Sequence, residues 1–179
     1  MLRIIHFYSK NEGNPIDIVM QIVNQKTPLS LRLLDWLVTN YAKSHSVKYI
    51  MNNKVFNMFK SYKEELTAFS KKYFDPFCRR ERIFYCAKKH NYIEIKTDEQ
   101  LIHYSKISTG FITTVGQLNF FMWAIMNNVI SYAIKNHEIL EENMNKMNKK
   151  NTKSKRTELS PDLSKGMTCC QTKVIVDFS

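Results

Sequence analysis

Apolar residues recur along most of this chain at helical spacing, interrupted by short stretches with strand character. Asn14-Pro15 forms a helix start, with Asn as cap and Pro in the first turn. Ile18, Val19, Ile22 and Val23 then fall on one face, which predicts a helix over 15–24. Thr27-Pro28 interrupts it, because Pro disfavours helix at the residue before it. Ser30 restarts a helix over 30–43. Leu33, Leu34, Leu37, Val38 and Tyr41 form its stripe, with Trp36 beside it and Arg32, Asp35, Thr39 and Lys43 opposite. Val47–Met51 and Val55–Phe59 flank Asn52-Asn53-Lys54 and predict a hairpin, since Asn tolerates left-handed backbone.

A third helix is expected over 61–74, with Ser61 and Glu64 at capping-box spacing. Leu66, Phe69 and Tyr73, with Tyr62, make its apolar stripe; Lys63, Lys71 and Lys72 read as solvated, and Asp75-Pro76 ends it. Arg82–Ala87 and Tyr92–Lys96 predict a second strand pair around Lys88-Lys89-His90-Asn91. Residues 97–110 are polar and read as loop, and Phe111–Thr113 as one more short strand. Thr114 and Gln117 open the clearest helix. Leu118, Phe121, Ala124, Ile125, Val129, Tyr132, Ala133 and Leu140 keep its period, and Phe120, Trp123 and Met126 widen its apolar face. A helix apolar on most sides belongs at the centre of a core. From Glu141 it turns polar, as a protruding or frayed half.

The expected fold is α+β: a helix-rich single domain over 1–145, with small β-hairpins around a central helix in the C-terminal half. A basic flexible linker follows over 146–172, rich in Lys, Asn, Ser and Thr, and then a terminal strand over 173–179.

The net charge of +11 changes the picture, because such a surplus attracts polyanions. The plainer reading is solubility, or AT-rich coding that favours the frequent Lys and Asn. The run Phe74–Arg82, FDPFCRRER, interleaves aromatic rings with arginines, a pattern suited to base stacking and phosphate pairing. A nucleic-acid-binding patch is therefore expected from Phe77, Arg79, Arg80 and Arg82, extended by Lys71, Lys72, Lys88 and Lys89. The plainer reading is a turn whose Phe residues anchor the core and whose Arg residues pair with Glu81 and Asp75. A second basic run, with Lys149, Lys150, Lys153, Lys155 and Arg156, reads as a nucleic-acid or nuclear-localisation tail, or else as a solvated linker.

Catalytic signatures are missing from the sequence: there is no Gly-rich phosphate loop, HExxH or Gly-x-Ser-x-Gly. Cys78, Cys86, His90 and His103 supply zinc-type ligands without the short chelating spacing of structural zinc sites. Cys78 lies among Arg79, Arg80 and Arg82, cations of the kind that activate a thiol, but a lone Cys near cations is common. The expectation is a non-enzymatic binding module with no cofactor, no metal and no transmembrane segment, its thiols reduced. The partner expected on this reading is nucleic acid. The alternative is a structural or minor virion component that docks its C-terminal strand, Val174–Phe178, on a viral protein partner.

SLRLLDWLVTNYAK (30–43), FDPFCRRERI (74–83), TTVGQLNFFMWAI (113–125) and the closing KRTELSPDLS…KVIVDF together resemble a family of small uncharacterised proteins encoded by nucleocytoplasmic large DNA viruses. The resemblance carries no established site residues. It implies viral origin and a location in the host cytoplasm, with virion or nucleus as alternatives.

Overall fold

The computed structural model describes residues 2–10, 15–77 and 81–157, the last nine of these as backbone only. The chain divides into two units, Met1–Glu142 and Asn143–Ser179. The first is helix-rich α+β, with one two-stranded and one three-stranded antiparallel sheet.

Helix α1 (Leu2–Lys10) buries Ile4 and Tyr8, and α2 (Pro15–Val23) buries Ile16, Val19 and Ile22. Helix α3 (Leu31–Trp36) is capped by Ser30, whose Oγ accepts from Leu33 N at 3.1 Å. It does not run evenly to residue 43. Leu37–Tyr41 form a π-helical turn before the single turn α4 (Ala42–Ser44). Strands β1 (Lys48–Met51) and β2 (Lys54–Asn57) pair from Lys48↔Asn57 to Met51↔Lys54. The loop is therefore only Asn52-Asn53, at φ 50° and 58°, as a tight turn matching strand twist requires. Helix α5 (Met58–Phe74) begins three residues before the expected start, because Asn57 caps it by accepting from Lys60 N at 3.0 Å. The hydroxyl of Ser61 instead accepts from the Trp123 indole N–H at 3.0 Å. Non-helical backbone at Ser70 (φ 62°, ψ 164°) kinks α5 near its end.

Strand β3 (Arg82–Cys86) lies between β4 (Asn91–Glu94) and β5 (Gly110–Thr114). Helix α6 (Asp98–Ser105) occupies part of the segment expected as loop. Thr97 caps it through Gln100 N, and Asp98 and Glu99 in its first turn suit the helix dipole. It buries no residue fully, so its sequence carries little hydrophobic period. Tyr104 anchors it, stacking on Phe84 at 4.9 Å.

The expected long helix from Thr114 is three helices: α7 (Val115–Met126), α8 (Val129–Lys135) and α9 (His137–Thr157). The breaks have one chemistry. Asn127 and Asn136 each turn a side-chain amide back onto the carbonyl four residues earlier, Trp123 O and Tyr132 O, both at 2.9 Å. Asn128 then takes left-handed backbone at φ 56°. Helix α9 continues through Thr157, into the segment expected as linker; residues 158–172 and the terminal strand 173–179 lie outside the described residues.

Helix α7 is the core of the first unit, burying every residue from Leu118 to Ala124. Phe120 and Trp123 meet Tyr62 and Phe74 of α5 in a ring cluster with centroids 5.8 to 6.4 Å apart. On its other side the Tyr8 hydroxyl donates to Leu118 O at 2.9 Å, which fixes α1. Gly110 is required by packing: a Cβ there would lie 2.1 Å from Tyr85 O.

Candidate nucleic-acid interface

The Phe74–Arg82 run connects α5 to β3. Its two described Phe residues separate into different roles. Phe74 is in the core at 1% exposure, whereas Phe77 is 46% exposed. Cys78, Arg79 and Arg80 lie outside the described residues. Helix α7 pins the backbone that precedes Phe77. Asn119 Nδ2 donates to Tyr73 O at 2.9 Å, and Gln117 Nε2 donates to Pro76 O at 3.3 Å. Gly116 admits the chain so closely that a Cβ would stand 3.0 Å from Lys72 O and 3.1 Å from Asp75 O. The Asp75 carboxylate then accepts from Phe77 N at 2.8 Å, an Asx turn that sets where the exposed ring leaves the backbone.

Phe77 borders a cleft of about 470 Å³ between the α3–α4 segment and α5. Lys43, Lys63 and Lys71 line it, all exposed, together with Asp35, Asp75 and Tyr62. Helical spacing along α5 explains one wall: Phe59, Tyr62, Lys63 and Leu66 share a face. The π-helical turn supplies the other wall, setting Lys43 Nζ 5.9 Å from the Phe59 ring centroid. Among the described residues no ion pair joins these lysines to Asp35 or Asp75. Burial, and secondly the charge of Asp75, pushes the Asp35 carboxyl up to about 6. Burial, and then the two nearby carboxylates, pushes Tyr62 up to about 12, so its hydroxyl keeps its proton.

The other expected residues distribute unevenly. Lys72 is occupied: its Nζ pairs with Glu81 at 2.5 Å and lies 5.0 Å over the Tyr73 ring. Glu81 is thus taken by a lysine, where the plainer reading gave it to the arginines of the run. Arg82 is half-buried and flanks the site. It shares a shallow hollow with Phe77 and lines a second cleft of about 560 Å³ with Glu81 and Glu94. Lys88 and Lys89 stand in the β3–β4 turn, at the far end of β3 from Arg82, roughly 14 Å along the strand. Lys149, Lys150, Lys153, Lys155 and Arg156 lie on the helical backbone of α9 in the second unit. The structure thus sets Lys71 and Phe77 in one cleft with Lys43 and Lys63, and Arg82 with Phe77 in a separate shallow hollow. A periodicity reading of α5 places Lys63 beside Tyr62; nothing in the sequence announces the π turn that brings Lys43 in.

Two further features frame the site. A concavity of about 710 Å³, between α2 and α8 to the start of α9, is lined mainly by apolar side chains such as Ile18, Ile134 and Ile139. Among the described residues no three of His, Cys, Asp and Glu converge as metal ligands, and no helix is long and apolar enough to cross a membrane.

Comparison with known proteins places this architecture. The chain is 36% identical over 150 residues to "Uncharacterized protein L507" of Acanthamoeba polyphaga mimivirus, a large DNA virus. The match covers 82% of this chain and 53% of that protein, so the chain spans about half the length of the curated relative it matches. No solved structure matches. The model of a family of unknown function, DUF7197, matches residues 2–171, and the chain belongs to that viral-type family.

Proposed function

We propose that this protein is a nucleic-acid-binding module that holds a single strand in the cleft beside Phe77. The observation that carries the reading is one cleft lined by three exposed lysines, without an ion pair among the described residues, and by the exposed Phe77 ring. Lysines of this kind neutralise phosphates and release counterions, and a ring at the rim gives an unpaired base a surface to stack on. Arg82 flanks the same rim, and Lys146 through Arg156 supply more than half of the +11 charge on the second unit, where they would add sequence-independent attraction. The alternative, strand addition through Val174–Phe178, rests on residues outside the described ones.

The test is fluorescence anisotropy of the full chain with labelled single- and double-stranded DNA and RNA over a salt series. Expected is salt-sensitive binding that favours single strands. Lys63→Glu with Lys71→Glu should lower the log–log salt slope by about 2. Phe77→Ala should weaken single-strand binding by about 1–3 kcal/mol while leaving duplex binding nearly intact. Absence of binding at physiological salt, or wild-type behaviour in both variants, defeats the reading.

A further inference from the structure

Asp35 is an anomaly in a cleft that faces a polyanion. Its side chain lines the cavity with Lys43, Lys63, Lys71, Asp75 and Tyr62. No described residue forms an ion pair or donates a hydrogen bond to its carboxylate, whereas Asp75 already receives the Phe77 N–H at 2.8 Å. A half-buried carboxylate without donors destabilises the fold and repels phosphate, yet three lysines stand around the same cavity and none closes onto it. A ligand that brings its own N–H groups resolves both problems.

Resting on the nucleic-acid reading, we infer that Asp35 makes this cleft selective for guanine, accepting the base's N1–H and N2–H groups while Phe77 stacks on its face. The base edges decide among the four candidates. Guanine alone presents two adjacent donors on its Watson–Crick edge, which match the two oxygens of one carboxylate. Adenine and cytosine each present one amino group beside a ring-nitrogen acceptor, so one carboxylate oxygen meets a lone pair. Uracil and thymine present one N–H between two carbonyls, and both flanking oxygens are repelled. The lysines serve the phosphates on either side.

The geometry also implies a pH signature. Asp35 faces Asp75 and Tyr62, with Lys43, Lys63 and Lys71 as the cations of the same cavity. Burial and Asp75 hold its carboxyl at about 6, so it is ionised and a double acceptor at pH 7.5. Protonation below that range turns one oxygen into a donor and removes the match to guanine.

The experiment uses the full chain and a labelled uridine oligonucleotide with one central guanosine, beside the same strand with adenosine there. At pH 7.5 the guanosine strand should bind about tenfold tighter or more, the discrimination expected of one bidentate base contact. In Asp35→Asn the ratio should fall close to one while adenosine-strand affinity is kept or improved, which separates lost selectivity from lost folding. In the wild type the ratio should shrink below pH 6. GMP and AMP as competitors identify the source. GMP as strong as the oligonucleotide assigns the cleft to a free guanine nucleotide, and a weaker GMP that still outcompetes AMP assigns it to a strand. Salt-sensitive binding of both oligonucleotides with a ratio near one overturns the guanine inference and leaves the binding module standing. No binding of either overturns both.

Discussion

Replacing Asp35 by Asn should stabilise the protein at neutral pH and do so only there. In the folded state the Asp35 carboxyl is pushed from its ordinary 3.8 up to about 6, chiefly by burial. The folded protein therefore holds that proton more tightly than the open chain. The associated stability is fully present below pH 3.8 and is lost as pH rises through about 6. A shift of this size corresponds to at most about 3 kcal/mol, and partial solvent exposure of the side chain reduces the working figure to about 1–1.5 kcal/mol. Asn keeps the shape and cannot ionise, so it recovers this amount where the wild-type carboxyl is charged. For a chain of 179 residues that is about 2–6 °C in melting temperature. Thermal unfolding followed by circular dichroism from pH 4 to 7.5 provides the assay. The two melting curves should nearly coincide at pH 4 and separate across pH 4–6.5, with the variant higher at pH 7. Parallel pH profiles, or a variant less stable at pH 7, would refute the argument that Asp35 is held against its charge.

Three further outcomes probe the core around the site. Gly110→Ala forces a Cβ into Tyr85 O at 2.1 Å and should cost about 3 kcal/mol, measured by urea unfolding; a loss below about 1 kcal/mol would mean β3 and β5 separate easily. Tyr8→Phe removes the bond to Leu118 O and should cost about 1 kcal/mol in the same assay, with fluorescence and circular dichroism changing together. Ser61→Ala strands the buried Trp123 indole N–H and should cost about 1–2 kcal/mol, an effect absent when Trp123 is already Phe.

Much of the first unit is legible in the chain because burial and period coincide there. The Leu33–Leu34–Leu37–Val38 stripe, the Asn52-Asn53 hairpin and the Thr114 cap before an all-round apolar helix each carry local signals that tertiary packing reinforces. The failures have specific causes. Helix α6 buries no residue, so only its cap and acidic first turn announce it. Asn127 and Asn136 sit inside an unbroken apolar period and end helices by side-chain competition for carbonyls, which periodicity does not register. Ser61 and Glu64 have capping-box spacing, but the Ser61 hydroxyl is committed to Trp123, sixty-two residues away, and Asn57 takes the cap. At the candidate site, Lys71 and Phe77 stand out from their local run. Asp35 and Lys43 share the polar face already expected of the 30–43 helix, but they meet Lys63 and Lys71 only through the packing of the α3–α4 segment on α5.

The π-helical turn at Leu37–Tyr41 makes one wall of the cleft a matter of residue count. Such a turn is wider than an α-turn by one residue. Because the wider turn absorbs that residue, the helix keeps one phase across it, and Asp35 and Lys43 share the cleft wall. A deletion of one codon within it would remove the bulge and leave Lys43 near the Phe59 ring, with the hairpin after Ser44 aimed as before. Straightening the turn with every residue kept would instead swing everything downstream by about 100° about the axis. Across descendants of a common ancestor, one residue can therefore come and go at this turn, whereas substitutions that favour even α-helix at the same length would carry the lysine out of the cleft.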